Sequence, residues 1–238
     1  MSGAEIKAGA RKLLVENAPR IFFISIIFVF VTTLISELQF RLPGTSAAYE
    51  LFLEQVAAGE IPRTELFYLN LRPAGVALMV ILWLMLPIIE VGFASYCLKT
   101  TRGQASEYKD MLDGFLFFFK VIIIRIVTTV LTLLWSILFF FPGIVAHYRY
   151  RQAYYILLDD PKKGALQCIQ ESKRMMQGNK LELFLLDLSF IGWNLLSLVI
   201  MIILPIPFSF PIVDIWLSPY IGLSRAVYYN NLLSKLAV

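Results

Sequence analysis

The stretch PAGVALMVILWLMLPIIEVGFASYCL, residues 73–98, carries a single charge, Glu90. A hydrocarbon core about 30 Å thick is crossed by roughly 20 helical residues. The reading of this run as a membrane helix decides the fold. Four other runs repeat the pattern. Residues 21–38 hold one acid near their end, and residues 121–141 hold only Arg125. Residues 181–204 carry Glu182 and Asp187, and residues 211–233 carry Asp214 and Arg225. The chain reads as an all-α, polytopic membrane protein.

Composition agrees. The 238 residues are 58% hydrophobic, with a mean hydropathy of +0.72. The longest polar stretches, about 30 residues, are too short for an independent core, so one membrane domain over 1–238 is expected. Ser36-Glu37-Leu38 is not a small-residue cleavage site, and the first run reads as a retained helix and not a signal peptide. Cys97 and Cys168 imply no disulfide framework. One histidine with two distant cysteines makes no usual zinc site. No metal, cofactor or nucleic acid is expected.

Lys and Arg collect on the cytoplasmic side of short loops. Lys7, Arg11, Lys12 and Arg20 precede the first run, and Lys99, Arg102, Lys109 and Lys120 follow the second. Residues 142–180 hold seven Lys and Arg, and the C-terminus adds Lys235. By contrast, residues 37–72 hold three Arg against five Glu, and residues 205–211 hold neither Lys nor Arg. The asymmetry places residues 1 and 238 in the cytoplasm and residues 44–65 outside. It also requires a second crossing between Lys109 and Lys162. Residues 144–158 supply it after a break at Pro142-Gly143, where proline removes a donor and glycine permits a turn. Six membrane helices are therefore expected: 21–38, 73–98, 121–141, 144–158, 181–204 and 211–233. The fourth is short and polar, and a re-entrant or surface position remains open for it. Its Tyr148, Tyr150, Tyr154 and Tyr155 read as interfacial belt and packing.

Two cytoplasmic segments show amphipathic spacing. Ser2 and Glu5 stand at capping-box spacing, followed by Ile6, Ala10, Leu13 and Leu14 at helical intervals. Asp160-Pro161 reads as N-cap and N1 of a second helix over 161–177, with Leu166, Ile169 and Met176 on one side and Gly178 after its end. Residues 1–19 and 161–177 are expected to lie on the inner leaflet, the alternative being solvated linkers. A third candidate covers 46–58 on the outer side.

Several stretches resemble a known family. They are EIKAGARKLL (5–14), FPGIVAHYRYRQAYYILLDDP (141–161), GALQCIQESKRMMQGNKLELFLLDLSFIGW (164–193), the SPY turn at 218–220, and Ala226-Val227-Tyr228-Tyr229. They look like the signatures of a bacterial membrane protein family called domain of unknown function 975. The resemblance implies a six-helix protein of the bacterial cytoplasmic membrane with no established activity. Residues 39–72 depart from it in lacking the glycine-rich stretch many members carry. A more distant likeness is to the membrane domains of some bacterial glycerophosphodiester phosphodiesterases, whose hydrolase part has no counterpart here.

Ionisable groups inside a membrane cost about 2.5–3.5 kcal/mol on insertion scales and are usually paired or functional. Counting helical rise from the basic flanks puts Glu90, Arg125, Arg151, Asp187 and Arg225 at roughly 8–15 Å depth in the inner half. Arg149 lies on the same helix as Arg151. Three readings of this layer stand. It is a buried network fixing helix register, with Asp187 paired to Arg151 or Arg149 and Arg125 free to snorkel. Or it lines a polar cavity, open to the cytoplasm, for an anionic headgroup or peptide carboxylate that arginine would clasp. Or Glu90 and Asp187 form a catalytic pair, which no nucleophile motif, glycine loop or metal cluster supports. The function expected is non-enzymatic: binding or organising a lipid headgroup, peptide or partner protein. The alternative is a small transporter or permease. The bilayer is the one partner the sequence requires.

Overall fold

The computed structural model describes residues 2–42, 45–59, 72–203 and 211–236, and among these the only regular structure is helical. The expected positions of residues 1 and 238, of residues 43–44 and 60–71 of the outer segment and of 205–210 of the loop fall outside them. The helices are α1 (Gly3–Glu16), α2 (Arg20–Arg41), α3 (Thr45–Ala57), α4 (Pro73–Thr101), α5 (Asp113–Leu116), α6 (Phe118–Leu138), α7 (Phe140–Tyr150), α8 (Ala153–Asp159), α9 (Ala165–Met175), α10 (Lys180–Leu188), α11 (Ile191–Ile203) and α12 (Ile212–Leu236). A 3-10 turn, Tyr108–Leu112, precedes α5. Four helical stretches are long and apolar enough to cross a membrane: Arg20–Arg41, Pro73–Thr101, Phe118–Ile137 and Lys180–Ile200.

Polar contacts gather one set of helix ends together. Arg20 donates to the Ser106 carbonyl at 3.3 Å. Arg102 forks onto Asp159 and also reaches Asn230 at 3.0 Å. Lys120 donates to the Pro161 carbonyl, and Lys235 pairs with Glu182 at 2.8 Å. So the starts of α2, α6 and α10 and the ends of α4, α8 and α12 lie together at one basic end. The core sits at the basic end. Ile88, Tyr96, Cys97, Val121, Ile124, Ile156, Leu157, Leu223, Tyr228 and Tyr229 are all buried there. Among the described residues, nothing in α2 beyond Val29, in α6 beyond Ile124 or in α11 is buried. The bundle is tight at one end and splayed at the other.

The details correct the sequence reading in several places. The corner between the third and fourth helices is at Phe139, whose backbone is extended, and not at Pro142-Gly143. Pro142 sits in the first turn of α7, where a missing N–H costs nothing. Gly143 serves packing instead, since a Cβ there would collide with Ser136 of α6. Residues 144–158 are not one helix but are broken at Arg151-Gln152, between α7 and α8. Residues 181–204 are likewise broken at Ser189-Phe190. Asp160-Pro161 does not open the 161–177 helix. Asp160 instead accepts from Lys162 N–H at 3.1 Å, and α9 starts at Ala165, where the Gln167 side chain accepts from Gly164 N–H at 2.9 Å.

The amphipathic helices spend their apolar faces on protein. In α1 the Ser2–Glu5 capping box forms, and Ile6, Ala10 and Leu14 are buried, chiefly against α12. Lys7 reaches the α10–α11 break, donating to the Ser189 hydroxyl at 3.1 Å and lying over the Phe190 ring at 4.5 Å. Burial, then the neighbouring Arg11, lowers the Lys7 pKa. In α9, Cys168, Ile169, Ser172 and Met175 are buried, while Leu166, expected on the apolar side, is exposed. Burial pushes the Cys168 thiol up from its ordinary range.

Two of the helix interruptions are chemically repaired by a hydroxyl from a neighbouring helix. Pro219 inside α12 cannot donate to the Ile215 carbonyl, and the buried Ser25 hydroxyl of α2 donates to it at 2.6 Å. At the α7–α8 break, the buried Ser172 hydroxyl of α9 accepts from Gln152 N–H at 3.2 Å and donates to the Arg149 carbonyl at 3.0 Å. Ser172→Ala strands both backbone groups and is expected to cost about 1–3 kcal/mol. Thermal unfolding in detergent checks this against Ser234→Ala, whose exposed hydroxyl caps only its own helix. Equal midpoints for the two variants would contradict the repair.

Candidate functional site

The six residues of the expected polar layer come from α4, α6, α7, the α7–α8 break, α10 and α12. Four of them lie beside the chain's discontinuities. Glu90 follows Pro87 within α4, Arg151 is the break residue itself, Asp187 lies in the last turn of α10 two residues before the break at Ser189, and Arg225 lies six residues after Pro219. Irregular backbone at membrane depth is tolerated where it is buried in protein or lines a cavity.

Asp187 is paired, but not with Arg151 or Arg149. Arg225 of α12 reaches it with Nε at 3.1 Å and Nη2 at 3.0 Å. The expected link ran through the hairpin between α8 and α10. Packing instead brings α12 beside α10, where Tyr228 also donates to the Asn179 carbonyl at 2.8 Å. Arg125 does not simply snorkel: its guanidinium lies over the Trp83 ring at 4.7 Å. Arg149 stands outside the cluster, 6.0 Å from the Trp135 ring.

Three cavities run through the layer. One of about 230 Å³ is lined by Glu90, Arg151, Tyr154, Ser218 and Arg225, with Phe28 and Phe93 as apolar wall. Arg151 and Tyr154 also line a second, of about 290 Å³, together with Arg125 and His147. Glu90, Ser218 and Phe28 also line a third, of about 470 Å³, with Ser36, Glu37 and Asp214. The polar space therefore continues toward the splayed end, where Ser36, Glu37 and Asp214 lie. Below it the core closes the way. Tyr155 and Tyr229 stack at 5.1 Å, and Tyr229 donates to Asp159 at 2.8 Å. Of the tyrosines read as interfacial belt and packing, Tyr155 packs in the core.

Within this space the charges are unevenly matched. Arg225 has Asp187. Arg151 lies in the field of Arg225, Asp187 and Glu90, yet among the described residues neither Arg151 nor Glu90 makes an ion pair or hydrogen bond through its side chain. Among the described residues no cluster of three metal-ligating side chains occurs.

A second polar cluster was not anticipated. Lys99 bridges Asp110 at 2.7 Å and Asp113 at 2.8 Å, and Ser95 also donates to Asp113. Cβ atoms at Gly92 or Gly114 would strike the backbones of Met111 and Ile88. This clasp folds residues 104–117 along α4. Its signal was present in the spacing of Gly92, Ser95 and Lys99, which fall on one helical face.

Residues 141–236 match the family described as a protein of unknown function (DUF975). No curated protein and no solved structure matches the chain. The likeness to membrane domains of glycerophosphodiester phosphodiesterases is not among these findings.

Removing one member of a desolvated pair strands the other charge. Asp187→Ala is expected to lower stability by about 3–5 kcal/mol, toward the lower figure because the Arg225 side chain retains 30% exposure. Asp187→Leu with Arg225→Met should recover most of that loss. Asp214→Ala should cost less, since among the described residues that carboxylate has only the Ser197 hydroxyl at 3.1 Å. Unfolding midpoints in detergent report all three. A double variant no better than Asp187→Ala would contradict the pairing.

Proposed function

We propose that this chain, a member of the family of unknown function through residues 141–236, is a non-enzymatic, multi-pass protein of the bacterial cytoplasmic membrane. It crosses six times, with the basic end cytoplasmic, and binds the anionic group of a membrane component in the cavity at Arg151. The lysine and arginine asymmetry supports the orientation. Four helices of spanning length and composition support membrane insertion. The observation that carries the binding reading is Arg151 itself: a guanidinium in the middle of the bundle, lining two cavities and, among the described residues, paired with no acid. Such a group is expensive without a counter-charge, and its planar fork suits a carboxylate or phosphate.

A transporter is the second reading. It is favoured by the broken and proline-interrupted helices that coincide with the cavities, an arrangement typical of transport sites.

Native mass spectrometry tests the first reading. Protein released from nanodiscs of mixed phospholipids is expected to retain a lipid. Arg151→Gln should retain it about tenfold less, as loss of one charge-assisted contact implies. Equal retention by both would contradict the proposal, and uptake of a solute into protein-containing vesicles would favour transport.

A further inference from the structure

Glu90 and Arg151 line the same cavity of about 230 Å³. Opposite charges in one cavity would ordinarily pair, yet among the described residues these two do not come within 4 Å of each other or of any other charged partner. Arg225, on the same wall, is already satisfied by Asp187. Among the described residues, the cavity thus presents one open cation and one open anion, held on separate elements. Arg151 is fixed by the break that Ser172 stabilises, and Glu90 by α4 just past Pro87. A simple anion would compensate Arg151 and leave Glu90 bare, adding like charge beside it. A simple amine would do the reverse. Glu90 is an exposed residue on this wall, and a ligand carrying both signs compensates both groups at once.

We infer that the cavity takes a zwitterion: a primary ammonium held by Glu90, and a carboxylate or phosphate held by Arg151. Tyr154 and Ser218 flank the two charges, and Phe28, Phe93 and Ile221 supply an apolar wall for the carbon skeleton between or beside them. The inference rests on the anion-binding reading above and narrows its ligand. The chemistry is shared by an ethanolamine phospholipid headgroup and by a free amino acid.

Thermal shifts and titration calorimetry of the full chain in uncharged maltoside detergent test it. The probes are O-phosphoethanolamine, alanine, short-chain phosphatidylethanolamine, short-chain phosphatidylglycerol, inorganic phosphate and ethanolamine. A zwitterionic probe is expected to raise the unfolding midpoint more than phosphate and ethanolamine added together. A shift with the ethanolamine lipid alone identifies a lipid source, and a shift with alanine a solute source. Glu90→Gln should weaken the zwitterion about tenfold while leaving inorganic phosphate within about twofold, and Arg151→Gln should weaken both about tenfold, as loss of a charge-assisted contact implies. Glu90→Asp, which keeps the charge, should retain the preference for the ammonium and guards against a folding effect. If phosphatidylglycerol or phosphate binds as well as the zwitterions and Glu90→Gln changes nothing, the zwitterion inference falls and the anion reading stands. If no probe binds the wild type, both fall.

Discussion

A single hydroxyl holds the centre of this molecule open. Ser172 accepts from the Gln152 N–H and donates to the Arg149 carbonyl, and so replaces the hydrogen bonds that a continuous helix over 140–159 would have made. Backbone groups in a membrane interior must find partners within the protein. Without Ser172 both backbone groups beside Arg151 would lose these partners. The same rule operates at Ser25, which serves the carbonyl freed by Pro219, and at Lys7, which serves the end of α10. In each case a polar side chain from a neighbouring helix pins an interruption, and the interruptions surround the cavities.

The second governing feature is the uneven distribution of packing. The basic end is a closed core that includes α1, α8, α9 and the C-terminal halves of α4 and α12. There α1 and α9 act as straps across the bundle rather than as floats on a bilayer. At the other end the helices separate, and apolar side chains such as Ile137 and Phe139 are more than 70% exposed. For a helix in lipid this exposure carries no penalty. The result is a vessel shut on the cytoplasmic side of the proposed orientation, with its charged floor at Arg151, Asp187 and Arg225.

Much of this was legible in the chain. Apolar runs of bilayer length located the four spanning stretches, because length and hydrophobicity depend on the solvent and not on tertiary partners. The acidic and basic residues of the layer were found because charge inside an apolar run is conspicuous. What could not be read was which charge meets which. Depth places Asp187 level with several arginines, but helix rotation and neighbour choice select Arg225, and those follow from packing. The breaks at Arg151 and Ser189 were invisible for a related reason. Neither site has proline or glycine at the break itself, and each depends on a distant partner, Ser172 or Lys7. The amphipathic face of α1 was read correctly as a face but assigned to lipid, since periodicity shows that a surface is covered without showing by what. The clasp of Lys99 with Asp110 and Asp113 lay hidden in a segment that composition marks only as a charged loop.

The central claim is that the charged floor is reached from the splayed, acidic end and sealed from the basic end. Ser218 lines both the cavity that holds Arg151 and the wider one beyond it. A cysteine placed there can be probed from each side with a membrane-impermeant thiol reagent, since the native Cys97 and Cys168 are buried. The account predicts labelling of Ser218→Cys in intact spheroplasts and protection in inside-out vesicles. Labelling only in inside-out vesicles would contradict it.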